Sequence, residues 1–169
     1  MKYSIDITGD SSLCVDTDGA FIFGMPPRAL EPVLCMDFWG LVFVKDRIGN
    51  TDVPRGLPNT DANVIVAGWA RMSFSNPLSI TFNVALYDES GRAFRYGNEG
   101  EVLCLSRTVV GPLSQERYCY ELGGHLLWPN GNAEISVAAA GRVTVEFAFD
   151  DWMTTDEFER RRDEVVFPS

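Results

Sequence analysis

Seven carboxylates and three consecutive arginines crowd residues 149–166, FDDWMTTDEFERRRDEVV, in a chain of 169 residues. Such a run can grip a charged partner, or it can neutralise itself as a helix. Over 155–164, Asp156 stands four residues before Arg160, Glu157 four before Arg161, and Glu159 three before Arg162. Acid-first pairs at that spacing stabilise a helix by about 0.2–0.5 kcal/mol each, and acids in the first turn suit the helix dipole. Thr154 and Glu157 stand at capping-box spacing, so the predicted helix starts at Thr154 or Thr155. It docks through Phe158, with Met153 and Val165 flanking it. This pairing uses all three arginines and leaves Asp150, Asp151, Asp163, Glu164 and Glu146 over.

Of these, Asp150 and Asp151 beside Trp152 form the sharpest candidate for binding. Carboxylates next to an indole capture an Arg or Lys by charge and by cation–π contact. The blander reading is a solvated turn with Trp152 folded into the core, where an indole usually buries most of its area. Trp128, in LLWPNG, precedes a proline in a turn and is the tryptophan expected at the surface. Trp39 and Trp69 lie inside strand-like segments and are assigned to the core.

Other chemistry is thinly represented. His125 is the only histidine, which rules out any site needing two histidine ligands. Cys119 and His125 are the one nucleophile–base pair close in sequence, without a cysteine-hydrolase signature around them. CVDTDG (14–19) has aspartates at calcium-loop spacing, but Cys14 and Met25 fall where positions 1 and 12 require acids. GxxxxGK, GxGxxG and GxSxG are absent. The expectation is no metal and no cofactor, and no motif is specific enough to point to a family.

The net charge of −10 narrows the partners. Residues 1–20 hold Asp6, Asp10, Asp16 and Asp18 against Lys2, a net −3; residues 146–164 hold eight acids against three arginines, a net −5. Nucleic acid and anionic membrane surfaces both require positive charge, so neither is an expected partner. A basic protein is permitted, with electrostatic steering of the encounter. MKYSIDITGD opens without a basic and then apolar leader, and the longest apolar window, VLCMDFWGLVFV (33–44), is interrupted by aspartate. The expectation is a soluble, cytoplasmic domain whose four widely spaced cysteines are free and buried.

The elements that must position these residues follow a period of two. ITFNVALY (80–87) and RVTVEFAF (142–149) alternate apolar and polar positions, as half-buried strands do. Further predicted strands are 2–8, 20–23, 33–44, 64–74, 93–96, 102–110 and 133–139. DESG (88–91) and AAGR (139–142) read as hairpin turns. Residues 113–124 fit either a second short helix or a strand, and 47–61 is a long loop. The predicted fold is a single β-rich domain over 1–169: all-β, mainly an antiparallel β-sandwich or flattened barrel of roughly eight to ten strands with a short C-terminal helix.

Three functional readings follow. The first is a non-enzymatic binding protein whose acidic surface masks a basic partner, as immunity or antitoxin-type inhibitors do to nuclease toxins. The second is a β-sandwich binding a carbohydrate or other small ligand through Trp128 and the long loop. The third is a hydrolase using a carboxylate pair or Cys119.

Overall fold

The computed structural model describes residues 2–9, 15–17, 19–23, 30–44, 64–87, 90, 93–95, 103–106, 117–127, 130–148 and 151–166. Among them are twelve strands and one helix: β1 (Lys2–Asp6), β2 (Val15–Asp16), β3 (Phe21–Phe23), β4 (Val33–Val44), β5 (Val64–Ser75), β6 (Pro77–Tyr87), β7 (Ala93–Arg95), β8 (Leu103–Ser106), β9 (Tyr118–Leu127), β10 (Asn130–Ala139), β11 (Val143–Ala148), β12 (Trp152–Met153) and α1 (Thr155–Val166). The strands form one unclosed sheet in the order β1-β11-β5-β4-β3-β9-β10-β6-β7, with β12 beside β5, β2 beside β4 and β8 beside β6. Every pairing is antiparallel except β3 with β9. The sheet is flattened around one core, to which Phe38, Phe74 and Val145 contribute from one half and Ile80, Ile135 and Val137 from the other. No helix among the described residues is long and apolar enough to cross a membrane.

The all-β expectation holds, with four local corrections. Residues 118–127 are a strand, so the helical alternative for 113–124 fails from Tyr118 onward. That segment pairs with β10 along its whole length, and Leu122 points into the core while Cys119, Glu121 and His125 point out. AAGR does not close a hairpin either. β10 pairs with β6 and β9, whereas β11 pairs with β1 and β5. The chain turns a corner there, matched across the ladder by Asn76 between β5 and β6. Phe74 faces Val143 and, five residues on, Ser79 faces Ala138, but between them Ala139 faces Pro77, so the ladder shifts register by one residue within the bend. Asn76 takes the left-handed conformation (φ 48°), which asparagine tolerates, and donates its N–H to the Pro32 carbonyl. DESG, by contrast, does join a paired β6 and β7.

Cys35 and Cys119 are free, as expected, but exposed instead of buried, because they occupy outward positions of β4 and β9. Trp69 is the fourth correction: it lies on the outer face and is exposed.

A single rung explains why the pattern of β4 and β5 hid this. On β4, Leu34, Met36 and Phe38 point inward and then Leu41 and Phe43 do, so the alternation slips by one residue at Gly40. On β5, Ile65 and Ala67 point inward and then Ala70, Met72 and Phe74 do, a slip between Ala67 and Ala70. Phe38 faces Ala70 and Leu41 faces Ala67, so both slips fall at one level and the pairing is undisturbed. The space outside this rung is filled from the C-terminal segment. A Cβ on Gly40 (φ 85°) would collide with the Phe158 ring, and one on Gly68 with the Asp151 carboxylate.

Phe158 is buried and brings α1 onto a second, smaller apolar cluster with Phe21, Val66 and Met153. The helix begins as its sequence prescribes. Glu157 N–H donates to Thr154 Oγ1 at 3.3 Å, Phe158 N–H to the Thr154 carbonyl at 3.0 Å, and Arg161 pairs with Glu157 at 2.8 Å.

Candidate functional site

Antiparallel and parallel registers together place a row of side chains across the outer face. Trp69 faces Trp39, Trp39 faces Phe21, Phe21 faces His125, and His125 faces Asn132, a line crossing β5, β4, β3, β9 and β10. Ring centroids lie 5.5 Å apart for Phe21–Trp39 and 5.7 Å for Phe21–His125, and Phe158 closes on Trp39 at 5.1 Å. At the far end, Asn132 Nδ2 donates to the Tyr87 hydroxyl at 2.6 Å, and Asn132 Oδ1 lies 2.7 Å from His125 Nδ1.

A second row runs beside it. Phe23 faces Asp37, Asp37 faces Arg71, Arg71 faces Glu146, and Glu146 faces Ser4. Asp37 holds the Arg71 guanidinium through two bonds of 2.6 and 2.8 Å. The Asp37 hydrogen bond and charge, with a smaller contribution from Glu146, raise the Arg71 pKa further above its ordinary value. The two rows meet where the Phe23 and Trp69 rings lie 4.7 Å apart, tilted by 36°.

The residues singled out from the sequence go to different places. Asp151 is half-buried; its Oδ2 accepts the Trp69 N–H at 2.7 Å and its carbonyl accepts the Gly68 N–H at 2.6 Å. Trp152 turns the other way, into the core against Phe43 and Phe147 at 5.3 and 4.7 Å, with its Nε1 buried and without a hydrogen-bond partner among the described residues. Adjacent in sequence, the acid and the indole therefore face opposite sides of the sheet. Glu146 is half-buried opposite Arg71. Asp163 and Glu164 lie in α1 with side chains outside the described residues, as are Asp150, Trp128 and the 47–61 loop.

Cys119 and His125 sit on one strand six residues apart, which at the rise of an extended chain separates them by about 20 Å. They cannot form a nucleophile–base pair. Cys119 instead touches Glu121 and Ser136. Among the described residues, no group of three or more His, Cys, Asp or Glu side chains could hold a metal ion.

At the sheet edge, Asp6 clasps β1 to β11. Desolvation alone would raise its pKa, but hydrogen bonds from the Thr8 hydroxyl and N–H and from Arg142, aided by the Arg142 charge, outweigh this and hold it below the ordinary value. A carboxylate lowered on folding contributes stability above its unfolded pKa and loses it as pH falls through the folded value. Asp6→Asn is therefore expected to flatten the loss of stability on acidification below about pH 4, measured by urea midpoints across pH. An unchanged pH profile would remove Asp6 from the acid response.

Sequence reasoning missed the Trp69 row because registers and the slip at Gly40 and Gly68 are needed to build it. The one available signal was the paired spacing of WG in β4 and GW in β5. The chain matches no protein-family model, no curated protein and no solved structure.

Proposed function

We propose that this chain is a non-enzymatic binding protein whose acidic surface docks onto a basic protein partner, in the manner of an immunity or antitoxin-type inhibitor covering a toxin such as a nuclease. The observation that carries this reading is the pairing of β1 with β11. That ladder sets β1, with Asp6, beside Glu146 and the strand that leads into residues 146–164, which carry a net −5. Part of this acid is used internally, in the Asp6–Arg142 and Glu157–Arg161 pairs. Asp156 and Glu159 on α1 are exposed. Clustered acid of this kind accelerates the encounter with a basic surface and disfavours neutral partners.

The test reverses exposed charge on α1, with retention of the helix checked by far-ultraviolet circular dichroism. Asp156→Lys with Glu159→Lys is expected to slow association with a basic partner by about tenfold at low salt and to flatten its salt dependence, read by surface-plasmon kinetics. Unaltered association kinetics would sink the acidic-face assignment. A carbohydrate or other small ligand on the outer face is the second reading, supported by the exposed indole of Trp69.

A further inference from the structure

Trp69 and Val33 are the only large hydrophobic side chains exposed among the described residues, at 45% and 47%. A tryptophan open to that extent is unusual, and this one is held in place. Its ring packs against Phe23, its backbone N–H is tied to the Asp151 carboxylate, which fixes the main chain beneath it, and Trp39 stands opposite on β4. Holding the ring before binding removes an ordering cost that a mobile side chain would incur on association.

The charges around it are unbalanced. Among the described residues of β4, β5, β11 and the segment entering β12, Asp37 and Glu146 in the neighbouring row and Asp151 at the backbone give three carboxylates against one guanidinium, Arg71. Arg71 is committed to Asp37 through both bonds of its fork. The N–H bonds that Asp151 accepts orient its carboxylate without cancelling its charge. An aromatic face with surplus negative charge beside it attracts a cation by quadrupole and Coulomb terms together.

We propose that this face is the anchor point for an arginine of the partner, its guanidinium stacked on the Trp69 indole beside Glu146 and Asp151. The proposal rests on the basic-partner reading and names the side chain that the surface recognises. Arginine suits the site better than lysine because its guanidinium is planar, weakly hydrated and stacks on rings, whereas an ammonium keeps its water. A neutral sugar could use the indole but would gain nothing from the excess charge, and the Asp37–Arg71 fork is already satisfied internally.

The experiment titrates the whole chain with octa-arginine, octa-lysine and cellohexaose at low ionic strength, by tryptophan emission and calorimetry. Octa-arginine is expected to bind at least threefold more tightly than octa-lysine. Trp69→Ala should weaken it at least tenfold and Trp69→Phe less, while Val33→Ala, equally exposed, leaves it unchanged. Asp151→Asn keeps an acceptor for the Trp69 N–H and removes the charge, so it should weaken octa-arginine several-fold with the fold intact by near-ultraviolet circular dichroism. Equal binding of the two peptides, insensitive to Trp69→Ala, would mean diffuse attraction and overturn the anchor. Cellohexaose binding that depends on Trp69, with no preference for octa-arginine, would overturn it in favour of a sugar site. A natural basic partner that binds Trp69→Ala at full affinity also overturns the anchor while leaving the basic-partner reading standing. Loss of that reading alone would appear as octa-arginine binding at Trp69 without any basic protein partner.

Discussion

Gly40→Ala is expected to lower the unfolding free energy by roughly 3–5 kcal/mol and to release α1 from the sheet. Two costs combine. A non-glycine residue at φ 85° is strained by about 1–2 kcal/mol. The new methyl would also occupy the position of the Phe158 ring, which lies within collision distance of a Cβ built there. Phe158 is 6% exposed, and expelling it forfeits about 1.5–3 kcal/mol of burial. Against a typical total of about 5–15 kcal/mol, that is a large share. Urea denaturation gives the loss, and hydrogen exchange should show α1 amides exchanging faster than those of β6 and β10. A loss below about 1 kcal/mol, with α1 still protected, would show that the ring moves aside cheaply and that the close fit is incidental.

Phe43→Ala is expected to cost a similar amount, about 3–5 kcal/mol, through a different mechanism. Phe43 is completely buried and meets Phe147 at 5.4 Å and Trp152 at 5.3 Å, both edge-on, while Phe147 and Trp152 meet at 4.7 Å. Truncation removes two of the three ring contacts and leaves a cavity that the β4–β5 ladder prevents from collapsing. Trp152 should loosen as well, since among the described residues no hydrogen bond to its Nε1 holds the indole once the packing is gone. The checks are the urea midpoint and a red shift of tryptophan emission that is absent in a Trp152→Phe background. A stability loss under about 1.5 kcal/mol would indicate that the cluster repacks.

How much of this was legible in the sequence depended on whether a segment carried its information locally. β11 shows strict alternation, so its strand state and buried face could be read directly. Helix α1 carries its own cap and pairs, and both Thr154 and the Glu157–Arg161 pair appear where the spacing put them. β4 was bounded correctly at 33–44, yet its faces were not assignable. It is apolar on both sides, because α1 and the aromatic row cover the outer face, and its phase shifts at Gly40. The AAGR corner misled because a turn-rich tetrapeptide looks the same whether the chain folds back on itself or bends between two halves of a sheet. The candidate site fared worst for a related reason. Asp151 and Trp152 are neighbours in sequence, but neighbours on a strand point to opposite faces, and only the pairing of β12 with β5 shows which face each received.

The β1–β11 clasp also has a consequence for the order in which the chain can acquire structure as it is synthesised. β11 is the only ladder partner of β1 among the described residues, and Arg142, which grips Asp6, follows it by 136 residues. β1, made before every other described strand, is thus among the last to be paired. During translation, Tyr3 and Ile5 have no sheet to join, and the Gly40 and Gly68 rung waits still longer for Asp151 and Phe158. Loop closure over such separations is slow, and exposed strand edges are prone to pairing with other chains in the meantime. The acidic charge carried by the N-terminal segment, net −3 over residues 1–20, keeps successive nascent chains apart through that interval.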